Sequence, residues 1–568
     1  MNRNTESHFA NNPTIDISRS KFDRSFTHKT TFNTGDIIPI YVDTTIMPGD
    51  TVKMRMSQVV RMATPIAPVM DNCNMDTYFF FVPYRLIWDH FKAFMGENET
   101  APWTQTTEYE IPQIQAPSDG WHKGSLADYM GYPTEVASYE ASALPFRAYS
   151  LIYNEWFRDE NLKNPVYISK GDTTIIGTDK TTLGSSYDPV VDTQKAAAPL
   201  KAAKYFDYFT ACLPGAQKGP AVKIPLGNEA PIIGSGSYNW ENFSNIDPAL
   251  KGQQAGIYIN NGNVTVFTDE DGNTVTGTNF NTVGLVADLS GAVGATINQL
   301  RQAFAIQKFY ERQALGGTRY IEMVKSHFEV TNPDFRMQRP EYLGGERIPI
   351  TMNQVIQSNA QTWYEKGLDE DDKPIFEETV PMGSTGAFSV TSNVNDDLFT
   401  HSFTEHGILM GLAVVRTVHT YQQGLNRMFS KKKFTDFYFP EFANLGNQAV
   451  LNKEIYIQAP TVVDADGNVI NEQAFGYQEA WATERYFPDI VTGEFRSNYA
   501  QSLDVWHYAD DYNALPSLGD IWIDEPESNV ARTLAVQEQD QFIGDFYFGC
   551  IYTRPMPLWS VPGLIDHH

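Results

Sequence analysis

A chain of 568 residues with 69 acidic against 42 basic side chains, a formal charge of −27, repels polyanions at long range, which excludes a simple nucleic-acid-binding module. Any contact with nucleic acid has to come from local basic patches or from a separate basic partner. Hydrophobic content of 42% with 35 Phe and 29 Tyr is too high for disorder and leans towards β structure with extensive interfaces; the length fits three or four ordinary domains, or one β fold with long insertions.

Cys73, Cys212 and Cys550 are odd in number and far apart, so they form neither a disulfide framework nor a zinc pattern, which suits a reducing cytoplasm. The stretch MNRNTESHFANNP lacks the apolar core of a signal peptide, and the apolar run 407–415 is too short to span a bilayer. A soluble protein, not exported by the usual signal, is expected.

Residues 1–35 read as an extended arm, in which Arg3, Arg19, Lys21, Arg24 and Lys29 oppose Glu6, Asp16 and Asp23. A solvated terminus and a functional basic arm both fit it. Two strands follow, around 37–42 and 51–56, separated by a Pro48-Gly49-Asp50 turn. In the second, Val52, Met54 and Met56 alternate with Lys53 and Arg55, the period of a half-buried strand. A third strand runs through Thr77, Tyr78, Phe79, Phe80, Phe81 and Val82 until Pro83 stops it. Three consecutive phenylalanines do not alternate, so this strand should be covered on both faces.

Helices are expected to dominate from about 84 to 165. One should carry Leu86, Ile87, Phe91 and Phe94; the clearest opens at Leu144-Pro145 and continues through Trp156 and Phe157. From 215 to 294 the composition shifts: 13 of the 40 glycines fall there, with only three basic residues. The turn Asp269-Glu270-Asp271-Gly272-Asn273 superficially resembles a calcium loop, but its glycine is misplaced for an EF-hand and a hairpin is the better reading. This block reads as an inserted, exposed β excursion.

Thr296 and Gln299 form a capping box for a helix that Gly316-Gly317 ends, and a second helix covers about 319–327. The acidic run 365–378 reads as a solvated loop, strands are expected around 408–415, 455–458 and 546–552, and a second acidic hairpin turn sits at 463–469.

No HExxH, GxSxG or P-loop pattern is present, and the histidines, His401, His406, His419 and His507 among them, have no spacing that makes a ligand set. The one basic cluster is Lys431-Lys432-Lys433, between Phe429 and Phe434 and just before Phe437, Tyr438 and Phe439. Lysines beside aromatics suit single-stranded nucleic acid; a charged turn preceding an aromatic core strand is the simpler reading of the same residues.

Several stretches taken together resemble the major capsid protein of microviruses, specifically the gokushovirus branch of small single-stranded-DNA bacteriophages. They are SRSKFDRSF at 18–26, HKTTF at 28–32, GDIIPI at 35–40, PGDT at 48–51, MDN at 70–72 and FFVPYRL at 80–86. The remainder are GTRY at 317–320, QRPEYLGG at 338–345, YQQGL at 421–425, FGYQEAW at 475–481 and LDVWH at 503–507. They span nearly the whole chain in order.

The resemblance implies a mainly β protein: a single eight-stranded antiparallel jelly roll of viral capsid type, with long helical and β insertions in its loops. Residues 1–35 would be an extended N-terminal arm, 36–568 the single capsid domain, and 215–294 a surface protrusion inserted within it. Copies of the chain would assemble into a T=1 icosahedral shell around a circular single-stranded DNA genome, with the insertion rising at the three-fold axes and serving host attachment. Asp269, Asp271, Gly272 and Asn273 are the candidates for that role. An acidic shell cannot neutralise packaged DNA, so a small basic DNA-binding viral protein is the implied partner, helped by Arg19, Lys21, Arg24, Lys431, Lys432 and Lys433. A minor or pilot viral protein and a host cell-surface receptor complete the partners; the chain would act in the virion, after assembly in the bacterial host cytoplasm. No enzyme activity, membrane insertion or cofactor is expected, and structural calcium is left open with no pattern calling for it. The main rival, a secreted jelly-roll lectin or carbohydrate-active enzyme, predicts a signal peptide, which MNRNTESHFANNP does not provide.

Overall fold

Alternation decides the first sheet. In the strand Thr51–Met62 every second residue from Val52 to Met62 points inward, while Lys53, Arg55, Val59 and Arg61 point out. The computed structural model describes residues 18–98, 108–220, 222, 297–356, 363–368, 374–378 and 385–560, together with five short strands between 232 and 287.

The core strands are β1 Ser20–Asp23, β2 Phe26–Phe32, β3 Ile38–Ile46, β4 Thr51–Met62, β5 Cys73–Pro83, β6 Glu341–Pro349, β7 Thr391–Ser402, β8 Gly407–Thr417 and β9 Phe542–Arg554. One antiparallel sheet runs β1-β9-β4-β7, with β2 continuing along the same edge of β9; the other runs β6-β5-β8-β3. Ser20 pairs with Arg554 and Phe32 with Phe542, so β1 and β2 form one strand interrupted at Arg24-Ser25. The segment expected as an extended arm is therefore docked sheet from residue 20 onward, because β9 offers it a row of unpaired backbone groups.

The main core packs Phe32, Met54, Met56, Phe546 and Phe548 of the first sheet with Ile40, Phe79, Phe81, Leu409 and Val415 of the second. A second core lies on the other face of the second sheet. There Phe80, Val82, Ile408, Met410 and Val414 meet Trp88, Trp121, Phe146, Tyr149 and Ile152. Both faces of β5 and β8 are thus covered over Tyr78–Val82 and Ile408–Val415, which is why these stretches read as apolar runs. Phe79 and Phe81 serve one core and Phe80 the other, as the triple phenylalanine predicted. Burying each such ring is worth about 1.5–3 kcal/mol. Gly411 lets β8 cross this crowded point, since a Cβ there would lie 2.6 Å from Cε1 of Phe79 and 2.9 Å from Cβ of Tyr41.

Helix Leu144–Ile152 takes Pro145 in its first turn and ends in a π-helical turn, Tyr153–Phe157, that carries Trp156 and Phe157 over Phe80. The helix expected after Pro83 is instead two single turns, Tyr84–Ile87 and Phe91–Phe94. Neither has a side-chain N-cap, and packing of Ile87 and Trp88 holds them in place. The acidic run at 365–378 is not a loop throughout, since Trp363–Leu368 and Pro374–Glu378 pair as a hairpin. No strand forms at 455–458: a helical turn, Asn452–Ile455, ends there and 456–458 run on as irregular chain, and at the start of the turn Leu451 N–H donates to the Glu454 carboxylate (2.9 Å). The second acidic turn is as expected, with Val463 bridging Val469.

The chain divides into two compact units, one of residues 1–216 and 313–568 that holds all the core strands, the other of residues 217–312. In the smaller unit Gly256–Asn260, Asn263–Thr268 and Thr274–Val275 form one antiparallel sheet, and Ile232–Gly234 pairs with Leu285–Ala287.

Candidate nucleic-acid and assembly surfaces

Of the N-terminal basic candidates, Arg24 is already engaged. Its Nη1 lies 2.6 Å from Oδ2 of Asp43 and donates to Oγ1 of Thr45 at 2.9 Å, and its guanidinium stacks 4.7 Å from the Tyr552 ring centroid. Tyr552 donates to the same carboxylate at 2.6 Å and sits 2.6 Å from the Tyr41 hydroxyl. Burial opposes the charge on Asp43, but the bonds from Tyr552 and Thr45 and the Arg24 charge outweigh it and hold the carboxyl below its ordinary value. Arg24 therefore clamps the first strand to β3 and β9. Arg19 and Lys21 are exposed and make no ion pair among the described residues.

The lysine cluster is split by its turn. Lys431 forms an ion pair with Glu484 (2.6 Å) and lies over the Phe437 ring at 5.1 Å. Asp436 accepts the backbone N–H of Lys432 and of Lys433, both at 2.8 Å, which fixes the loop and leaves both side chains exposed and without an ion pair among the described residues. Those two bonds hold the Asp436 carboxyl below its ordinary value. The aromatics are not a core strand: Phe429, Phe434, Phe437, Tyr438 and Phe439 all face solvent. The two basic groups come from separate parts of the chain, and no bond among the described residues links one to the other. Asp269, Asp271, Gly272 and Asn273 lie outside the described residues; the strands flanking them pair through Thr268 and Thr274.

Sequence reading missed two buried charge clusters. Asp76, on β5, receives Arg347 from β6 (Nε–Oδ1 2.6 Å), Arg416 from β8 and the Tyr205 hydroxyl (2.8 Å). Burial raises its carboxyl, yet the arginine bonds win and hold it below the ordinary value. His419 is wholly buried, with Nδ1 2.7 Å from Oδ2 of Asp510 and Nε2 2.9 Å from Oε2 of Glu525. Both ring nitrogens face carboxylates, so both must donate, and the ring is an imidazolium. Burial opposes that charge, but Asp510 and Glu525 push the pKa up to about 10. The partners are 91 and 106 residues from His419, and no local spacing signals them.

Two open cavities are present, the second beside the Asp76 cluster. One, about 530 Å³, is lined by Phe429, Arg427, Glu484, Tyr486, Phe487 and Ile490 among others. The other, about 670 Å³, is walled by Trp156, Tyr205, Arg319, Arg339, Arg347 and Arg416. Among the described residues no group of three or more metal-ligating side chains converges.

Stacked antiparallel sheets that share a dry core, surrounded by long loops rich in exposed aromatics, define a β-sandwich protein with surface suited to protein contacts. The sequence profile of the capsid protein (F protein) family matches residues 10–564, and the chain belongs to that family. It is 42% identical to capsid protein VP1 of Bdellovibrio phage phiMH2K, over 99% of this chain and 98% of that one. It is 37% identical to capsid protein VP1 of Chlamydia phage 1, over 98% and 97% of the two chains. With capsid protein VP1 of Spiroplasma virus 4 the identity is 38%, over 96% of each. These relatives are structural capsid proteins and not enzymes, and this chain is a major capsid protein of the microvirus type.

Proposed function

We propose that this chain is the shell subunit of a T=1 icosahedral particle enclosing a circular single-stranded DNA genome. Its core would be a single eight-stranded jelly roll. The strand orders β1/β2-β9-β4-β7 and β6-β5-β8-β3 support that reading, because four strands in each of two facing sheets, with sequential strands passing from sheet to sheet except at the β5–β6 pair, is the jelly-roll winding. The family match across residues 10–564 supports one elaborated subunit. Residues 215–294 form the three-fold protrusion used in host attachment, with Asp269, Asp271, Gly272 and Asn273 at its acidic turn. Assembly takes place in the bacterial host cytoplasm.

The formal charge of −27 leaves the shell unable to neutralise DNA alone, which favours a small basic viral protein inside and a minor or pilot protein as further partners. Of the basic candidates, Arg19, Lys21, Lys432 and Lys433 have no ion-pair partner among the described residues and could meet phosphate, whereas Arg24 and Lys431 are engaged by Asp43 and Glu484. Expression of the full chain, with size-exclusion chromatography and electron microscopy, tests the shell. Megadalton closed particles of one size are expected; a stable monomer under every assembly condition would reject the proposal.

A further inference from the structure

The loop region after β8 places an unusual amount of aromatic surface in water. Phe429 is 71% exposed, Phe434 75% and Phe487 70%, and Ile490 and Phe437 are each more than half exposed. Monomeric soluble proteins rarely expose a contiguous apolar patch beyond a few hundred Å². Phe429, Phe487 and Ile490 line one groove of about 530 Å³, and the Lys431–Glu484 ion pair ties the 427–439 loop to Glu484, which lines it too. Tyr438 packs edge-on against Trp481 at 5.6 Å, and Trp481 donates to the carbonyl of Phe442 at 2.9 Å.

The turns of this loop are fixed by side chains: Asn426 accepts the N–H of Met428 at 3.0 Å, and Asp436 accepts those of Lys432 and Lys433. An exposed aromatic surface with basic groups at its edge has the composition of an interface.

We propose that this patch, centred on Phe429 and Phe487, is a contact surface for a second copy of this chain, with the groove taking an apolar side chain of the neighbour. The inference rests on the shell reading. A capsid subunit meets its own copies at high local density, and a closed ring requires a surface and a different complementary surface on each copy. Charge points to the same occupant. Lys432 and Lys433 project beside the rings without ion-pair partners among the described residues, and a copy of net charge −27 offers the acidic face that suits them. DNA would satisfy the lysines, but the groove's walls balance Glu454, Glu484 and Asp489 against Arg427, Arg485 and Arg496, so it lacks the continuous basic track that single-stranded nucleic acid follows.

The test uses the full chain with Phe429→Ser and Phe487→Ser together, and separately Lys432→Glu with Lys433→Glu. Neither phenylalanine is buried, so the first variant should keep wild-type near-ultraviolet circular dichroism and protease resistance while particle yield on a sucrose gradient falls at least tenfold. The charge variant should also assemble poorly and recover partly at raised salt. Wild-type particle yield from the serine variant, or its loss through misfolding, overturns the proposal. So do normal particles from the lysine variant that have merely lost DNA, since the patch would then serve nucleic acid. The wild-type chain run alongside separates these outcomes from failure of the shell reading, in which it too forms no particles.

Discussion

His419 is the residue on which charge and burial conflict most sharply. Its ring is fully buried, yet it must carry a proton to satisfy Asp510 and Glu525 together. Thr417 N–H and Oγ1–H bond the other Glu525 oxygen at 2.9 and 2.6 Å, and Asn529 bonds Asp510 at 3.0 Å. With Lys204 4.0 Å from Asp510 the cluster is formally neutral, and the fully paired arrangement is tolerated where a half-paired one is not. Replacing His419 by Gln is expected to cost about 3–5 kcal/mol in denaturant unfolding of the unassembled chain, because two carboxylates stay buried without their cation. The pH dependence follows from the shifts. The histidine pKa is raised from 6.5 to about 10, so its stabilisation is fully present below pH 6.5 and lost as pH rises through about 10. Burial raises the Asp510 carboxyl, but His419 and Lys204 overcome this and lower it from 3.8 to about 2; its contribution is full above pH 3.8 and lost as pH falls through about 2. The stability gap between wild type and His419→Gln should therefore shrink between pH 7 and 10. A constant gap over that range would contradict a buried imidazolium.

At the scale of elements, β5 shows what a sequence reveals and what it withholds. Its apolar run predicted burial on both faces, and the two cores meet there as expected. The same logic made β8 legible, since Gly407–Thr417 admits almost no polar residue. Short turns of helix were not legible: Tyr84–Ile87 has no cap and too few residues for a period, so only the tertiary contacts of Ile87 and Trp88 create it. The basic candidates show a different limit. Sequence shows the charge of Arg24 and Lys431 but not Asp43 and Glu484, which arrive from elsewhere in the fold. The separation of the cores can be measured. Phe79 touches Tyr41, Phe399 and Phe548, whereas Phe80 touches Trp156, Phe157 and Tyr342, with no ring in common. Phe79→Ala and Phe80→Ala are each expected to cost about 3–5 kcal/mol. Although adjacent in sequence, they should be additive within about 0.5 kcal/mol in a double-mutant cycle. Strong coupling would mean that the two faces of β5 share one core.

For the whole molecule, the physical question is how one fold tolerates so much inserted chain. The core strands come from both ends: the Thr34 hydroxyl donates to Oε1 of Gln541 at 2.6 Å, and β9 lies between β1/β2 and β4. The first sheet is therefore incomplete until the final strand is available, while residues 84–340 all lie between the neighbouring strands β5 and β6. Loop-closure entropy rises only as the logarithm of length, about 0.6 kcal/mol per doubling, so a long insertion that folds as its own unit burdens the core little. Length alone suggested several domains for this reason; the compact unit 217–312 is set within a chain whose core strands all belong to the other unit. Replacing residues 217–312 by a flexible Gly-Ser linker should then leave a single cooperative unfolding transition, with stability changed by no more than about 2 kcal/mol. If residues 215–294 are the attachment protrusion, particles built from this shortened chain should still close but should no longer adsorb to host cells. Loss of folding would show that the core depends on the smaller unit. Normal adsorption by closed particles would remove host attachment from that segment and move it to the surface formed by residues 1–216 and 313–568.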